Sequence, residues 1–457
     1  MKTEAELLQQ LSKLEFESGV YSYQINGYTL YSLIRSDIRQ RYLRNNGIPI
    51  MPLRSKKKKF RSLWSFLCSS VQVVGLLLSK KTPKNLLIAF PRLDTIAGKY
   101  VDKFTDPIVD STTIGENYII FEHGRGGQHL TPRYHSNKII WIDSLAIISY
   151  VVSRVRIKSF KNNNQDILKS LFACIDSFMN NQWYSRDVFE KSIYEYLIYG
   201  KMYEFIFRRL KIMNLFAVTR PVVEFTAAKK NRIRTFELQH GITYGETSTY
   251  SGYRDELMMP DFFLAFGDNK PKEVYGIAVE RIVNIGWAFP NLLRNAECPI
   301  KPNSSDVLVI SDPEVTDAMI AAVSSLAKSF PNSVFYLRPH PHEHYTEEQI
   351  SAISKVSNMR IQDNKINIAL ILQSFTYVLG ESSSVLYEAL ANGNMVGKLF
   401  MKGLSPKYLE KEDTKAFCEI HNEQDFRAFI EGNWHPEVKK SIYSPFNAER
   451  LNSLLQR

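Results

Sequence analysis

Cysteine is scarce in this chain. Its four copies, Cys68, Cys174, Cys298 and Cys418, lie far apart in 457 residues and form no CxxC pair. That spacing argues against a zinc ribbon and a disulfide framework, and fits a reducing compartment. Asp-x-Asp occurs nowhere, so a divalent cation bridging phosphates lacks its usual carboxylates. Repeats at a short fixed period and low-complexity tracts are also missing, as in ordinary globular proteins. The opening stretch, MKTEAELLQQLSKLEFE, is a charged helical pattern with no signal-peptide core. A cytoplasmic location is expected.

What is present is an excess of basic charge. The formal net charge is +11, which suggests an anionic partner: nucleic acid, an acidic membrane surface or a phosphorylated small molecule. Hydrophobic residues make up 44% and charged residues 23%, proportions that allow proper cores. The length suits two domains better than one. One segment concentrates the charge. Arg54, Lys56 to Lys59 and Arg61 precede an uncharged run from Ser62 to Ser79. As a helix that run reaches roughly 27 Å, just short of a bilayer core of about 30 Å. Two readings stand beside a full span: a core helix behind a solvated charge run, or an interfacial helix on anionic lipid.

Residues 1–82 read as a helical extension, with Leu30, Ile34, Ile38 and Leu43 near one face. Short apolar runs then follow at 85–90, 117–123 and 138–143, with strand-to-loop units at 232–241, 261–267 and 281–286. Such runs suit buried strands of a parallel sheet. Helical stretches intervene at 165–180 and 187–213. Prolines, serines and asparagine cluster at 295–306, a boundary signal. Beyond it, strands and helices alternate again. The chain therefore divides into an α/β half at 83–296, a second at 303–435 and a helical tail at 436–457.

In open α/β sheets, ligands bind outside the carboxyl ends of strands. Polar clusters fall at such ends in RPHPHEH (338–344), GESSS (380–384), QHG (239–241) and EHGRGG (122–127). Gly380 would allow a tight turn, and Ser382, Ser383 and Ser384 would sit at a helix N-terminus, where free N–H groups and the dipole favour phosphate. Glu388 lies one turn further on, placed to accept bonds from ribose hydroxyls. Ordinary serine capping with a solvated glutamate is the competing reading. His340, His342 and His344 alternate as metal ligands on a strand end could. Pro339 and Pro341 turn the path, however, and no carboxylate set completes a metal site. Arg338 and His340 are better read as phosphate donors, with His342, Glu343 and His344 forming a solvated helix start.

RPHP after one strand and SSS…E after a later one resemble the HP and SS motifs of bacterial glycosyltransferases with the GT-B fold. The nearest likenesses are CMP-sialic acid and CMP-Kdo transferases and the CDP-glycerol glycerophosphotransferases. LQHG (238–241) resembles the His-Gly element of the last group, and IVNIGWAF the strand closing its N-terminal half. The likeness covers residues 220–400. It implies an α/β fold of two Rossmann-like domains facing across a cleft, here with an N-terminal helical extension. It also implies a nucleotide on the C-terminal half, with His340 in the HP role and Ser382 to Ser384 in the SS role. His240 corresponds to the His-Gly element. The acidic base motif of the sialyltransferases is missing, so Asp94 in FPRLDT and Glu122 in FEHGRGG stand as substitute bases.

The expected activity is inverting, metal-independent transfer of a sugar from a nucleotide-activated donor, possible donors including a CMP-linked ulosonic acid. The donor is a substrate, and no cofactor or metal is expected. The acceptor would be a lipid-linked or growing bacterial surface polysaccharide, capsule or O-antigen, reached at the inner face of an anionic membrane. A CDP-glycerol-type polyol-phosphate transferase and a UDP-sugar-dependent transferase are the enzymatic alternatives. Nucleotide-sugar 2-epimerases share the two-half plan, but their carboxylate and glycine pattern is not found. Nucleic-acid binding would explain the charge, yet no RRM, KH, zinc-finger or helix-turn-helix pattern occurs.

Overall fold

A computed structural model describes residues 4–48, 59–80, 82–90, 93–124, 128–241, 250–252, 255–267, 276–293, 296, 298–341, 343–401, 415–435, 437 and 442–456. Among the described residues the α-helices of the N-terminal half are α1 (Glu4–Glu17), α2 (Leu30–Asn45), α3 (Lys59–Leu78), α4 (Asp106–Ser111), α5 (Asp143–Asn163), α6 (Gln165–Asp176), α7 (Arg186–Leu210), α8 (Val222–Lys230) and α9 (Pro290–Leu293). Two small ribbons, β1–β2 (Gln24–Ile25, Tyr28–Thr29) and β4–β5 (Asp94–Ile96, Lys99–Val101), are antiparallel.

The main sheet of this half comprises β3 (Asn85–Ile88), β6 (Tyr118–Glu122), β7 (Ile139–Trp141), β8 (Asn214–Val218), β9 (Arg234–Leu238), β10 (Phe262–Ala265) and β11 (Ile282–Asn284). The second sheet comprises β12 (Val307–Ile310), β13 (Phe335–Arg338), β14 (Met359–Ile361), β15 (Tyr377–Gly380), β16 (Met395–Leu399) and β17 (Cys418–Ile420). The orders are β11-β10-β9-β8-β3-β6-β7 and β14-β13-β12-β15-β16-β17, and every pairing is parallel. Covered on both faces, central strands such as NLLI, NLFAV and VLVI are buried throughout, hence their unbroken apolar runs. Each sheet is wound outward from its first strand, the Rossmann order. Switch points therefore lie between β3 and β8 and between β12 and β15.

The extension is part of the first core. Tyr28, Tyr31, Ile34 and Ile38 pack in one cluster with Phe121, Leu197 and Leu215. Glu15 of α1 is buried and binds Arg39 at 2.8 Å, Arg35 at 3.3 Å and the Tyr31 hydroxyl at 2.7 Å. Burial pushes its carboxyl up, but the two guanidiniums outweigh burial and hold it below the usual range.

The tail also crosses back to the first half. Ser444 N–H donates to Phe266 O at 2.7 Å, and Asn447 N–H to Ile285 O at 2.8 Å. The helix Ala448–Gln456 lays Leu451 and Leu454 into the core, and Arg234 donates to the carbonyl of Leu455 at 2.7 Å. Gly286 sits at φ +76°, and a Cβ there would come within 2.1 Å of Pro445 O. Only glycine fits this crossing.

Candidate functional site

The carboxyl ends of β12, β13 and β15 converge at the second switch point. Ser382 Oγ donates to Asp312 Oδ2 at 2.7 Å, tying the loop after β15 to that after β12. The neighbouring Ser311 Oγ donates to Glu343 Oε1 at 3.0 Å. Glu343 Oε2 in turn accepts the His340 backbone N–H at 2.8 Å, and Glu343 N–H returns a bond to His340 O at 2.8 Å. The Thr316 hydroxyl also donates to Glu343. Residues 311 and 312 thus fasten the histidine turn and the serine loop side by side.

Several expectations need correction here. Glu343 is buried, not solvated, because its carboxylate accepts three hydrogen bonds, from the Ser311 and Thr316 hydroxyls and the His340 N–H. The helix begins later, at Glu347, behind a capping box of Thr346 and Gln349. His344 is exposed, and His342 lies outside the described residues. Arg338 is not poised for phosphate. Its guanidinium donates to the side chain of Gln362 and to the carbonyls of Asp363, Asn364 and Ile366, the last at 2.7 Å. Burial pushes it down to about 10, against the pull of Asp363 and Asp94. Arg338 builds the 362–366 loop.

Gly380 serves packing and not a left-handed turn: a Cβ would meet Leu386 Cδ2 at 3.0 Å and Ile310 O at 3.2 Å. Of the three serines, Ser384 holds the N-cap position but makes no side-chain cap bond and is exposed, while the Ser383 hydroxyl accepts Val385 N–H at 3.3 Å. The helix Val385–Asn392 carries Glu388 to a cavity of about 350 Å³, lined also by Trp287, Leu293, Gln373, Asn392 and Tyr443. Burial, then the charge of Glu388, hold the Tyr443 hydroxyl far above its usual value. On β16, buried Lys398 is pushed down to about 8 by its burial, against the pull of Glu381 and Glu419.

In the first half, His240 stands exposed just past the end of β9, its ring 4.7 Å from Phe90 and 5.6 Å from Phe104. Asp94 opens the β4–β5 ribbon. Glu122 is at the end of β6 but is already engaged, accepting His129 Nδ1 at 2.7 Å and Arg133 Nε at 2.7 Å. His129 Nε2 pairs with Asp143 at 2.6 Å, and its ring stacks on Trp141 at 4.0 Å. Burial opposes charge on His129, but the two carboxylates outweigh it and raise its affinity for a proton. Asp143 also accepts Gly124 N–H at 2.9 Å, anchoring the start of the glycine-rich loop. Arg125, Gly126 and Gly127 of that loop lie outside the described residues.

No protein-family model and no curated protein matches this chain. Solved structures do. A UDP-GlcNAc 2-epimerase from Neisseria meningitidis, bound to UDP-GlcNAc, is 12% identical, with a TM-score of 0.50 over 82% of this chain and 100% of its own. The UDP-GlcNAc 2-epimerase of Methanocaldococcus jannaschii is 11% identical, with a TM-score of 0.49 over 81% and 98%. A glycotransferase of kitacinnamycin is 10% identical, with a TM-score of 0.41 over 82% and 94%. This chain has a GT-B fold.

The GT-B arrangement links the His340 turn and the Ser382 loop through Asp312, which sequence reading passed over, and Glu343, which it read as solvated. Asp312 and Glu343 carry no local motif; they matter because β12, β13 and β15 are neighbours in the sheet. His129, Arg133 and Asp143 were missed for the same reason. The EHG at the end of β6 was the one visible signal for that cluster, pointing to Glu122 but not to its partners.

Proposed function

We propose that the chain is an inverting glycosyltransferase using a nucleotide-activated sugar. The supporting observation is the Ser311–Asp312 junction, which holds the His340 turn and the Ser382–Ser384 loop at one switch point, where α/β sheets take ligands. In this reading the His340 ring and the N–H groups behind Ser383 stabilise the donor phosphate, with no divalent cation and no cofactor. Glu388 accepts bonds from the nucleoside. His240 takes the proton of the acceptor hydroxyl, with Asp94 as the other candidate base. Glu122, held by His129 and Arg133, orders the acceptor loop. The hydroxyl oxygen bonds to the anomeric carbon as the bond from that carbon to the phosphate oxygen breaks. The nucleotide leaves with the electron pair. The acceptor is a lipid-linked or growing surface polysaccharide, and the compartment is the cytoplasm.

A thermal-shift series with CMP, CDP, UDP, GDP and dTDP tests the reading, since a bound nucleotide raises apparent stability. A rise with one of them is expected, followed by EDTA-resistant transfer from the matching sugar donor. Stabilisation by none would sink the proposal. A CDP response alone would move the assignment to polyol-phosphate transfer. The alignment with the whole Neisseria protein supports one further reading, 2-epimerisation of a UDP-sugar. Conversion of UDP-GlcNAc to its epimer without any acceptor would establish that instead.

A further inference from the structure

Helix α3 is amphipathic in the wrong sense for a helix packed on a core. Ordinarily the apolar stripe faces inward. Here Leu63, Trp64, Leu67, Val71, Val74 and Leu78 recur at helical spacing on the outer face, each 50–76% exposed. The inner face is largely polar. Ser69 Oγ donates to Trp141 O at 2.8 Å and meets Ser144 Oγ at 2.9 Å, while Gln72 accepts Trp141 N–H at 2.7 Å. Val73 and Leu76 enter the core, and Leu77 packs against it.

The apolar surface continues beyond α3. Ile148, Val151 and Val155 form an exposed stripe on α5, and Phe205 stands out from α7. Between the three helices runs an apolar groove of about 430 Å³, bordered by Val74, Leu77, Ile148, Met202 and Phe205. α7 carries Asp187, Glu190, Glu195 and Glu204, but the charged side chain among the residues lining the groove is Lys201. α3 contains no acidic residue, and the only one in α5, Asp143, is bound to His129. Arg156 and Lys158 are exposed on α5. In sequence, Arg54 and Lys56 to Lys58 lead into α3, and Lys80 and Lys81 follow it.

We infer that this face docks on an anionic lipid bilayer, with α3 lying in the plane of the interface. At 20 residues the helix is about 30 Å long, but among the described residues no helix is long and apolar enough to cross a membrane. Lying flat buries the apolar stripe among acyl chains and sets the basic ends among acidic headgroups. A second copy of the chain fits less well. Both ends of α3 are basic, so parallel and antiparallel self-pairing each oppose like charges. The inference rests on this surface alone and does not depend on the donor.

Vesicle sedimentation of the full chain tests it, with phosphatidylcholine alone and with phosphatidylglycerol added. The chain should sediment with the anionic vesicles, and high salt should weaken binding by at least about tenfold, a scale expected for several basic residues near the surface. Leu67→Glu with Val71→Glu changes only exposed positions and should abolish sedimentation while circular dichroism and the melting midpoint persist. A second variant, with Lys56 to Lys59 replaced by glutamine, should lose the preference for anionic lipid. Equal sedimentation of wild type and both variants would overturn the inference. So would a dimer, seen by analytical ultracentrifugation, that the Leu67 and Val71 changes dissociate in a chain indifferent to vesicles.

Discussion

Ser382 and Asp312 lie 70 residues apart and share a 2.7 Å hydrogen bond across the β12–β15 switch point. The bond places a carboxylate beside the loop proposed to receive a phosphate. Asp312 therefore orders the serine loop while its charge opposes the ligand. Asp312→Asn keeps an acceptor for Ser382 and removes the charge, so nucleotide affinity should hold or rise. Asp312→Ala removes the acceptor as well, and affinity should fall about tenfold, the loss of one charge-assisted bond. Calorimetric titration with the stabilising nucleotide separates the two. Equal loss in both variants would mean that the carboxylate itself contacts the ligand.

Glu343 makes the histidine turn a structural unit. Its replacement by alanine leaves the Ser311 hydroxyl and the His340 N–H without this acceptor, while the Thr316 hydroxyl keeps the Asp312 carbonyl, at a cost of about 2–4 kcal/mol. Urea melts should show that loss, and Glu343→Gln should recover part of it. A melt unchanged by Glu343→Ala would show that these groups find other partners.

His340→Ala should lower transfer by roughly a hundredfold or more, the scale for loss of a donor to developing negative charge. Ser382→Ala with Ser383→Ala should weaken nucleotide binding too. Combining all three should cost much less than the sum, because they serve one ligand. Near-wild-type transfer by His340→Ala and by the double serine variant, both folded, would remove the phosphate site from this cleft.

His240 projects from the other half of the molecule, so His240→Ala should reduce transfer while nucleotide affinity persists. Single-turnover rates and titrations on the same protein distinguish the cases. If affinity falls as steeply as rate, His240 is a donor ligand and Asp94 becomes the base.

Glu224 gives a pH-dependent handle on stability. It is buried in the helix Val222–Lys230, and burial pushes its carboxyl up to about 7. The folded state thus holds a proton that the unfolded chain releases near 4.5. Stability falls as pH climbs between those values and stays lower above them. Glu224→Gln should therefore raise stability at pH 8, by up to about 3 kcal/mol, with the gain fading below pH 4.5. Denaturation curves at pH 4, 6 and 8 check the trend; a gain independent of pH would assign the effect to packing.

Most strands were legible because parallel strands buried on both faces leave continuous apolar runs. β8 was not, although it is central. The preceding helix ends at Leu210 with Lys211 in the left-handed region at φ 54°, a stop that neither glycine nor proline announces. The short edge strands β14 and β17 were also missed, since three partly exposed residues make no pattern. Residue types at strand ends were enough to nominate His240, His340, the serines and Glu388. They could not say which groups were already engaged. Arg338 is spent on its own loop and Glu122 on His129 and Arg133, through partners that only sheet order brings near. For residues 59–78, the sequence determined a helix with three possible environments: a membrane span, a core and a lipid interface. Which face met the protein was decided by the backbone of Trp141 and the side chain of Ser144, which bind Ser69 and Gln72 and turn Leu63, Leu67, Val71, Val74 and Leu78 outward.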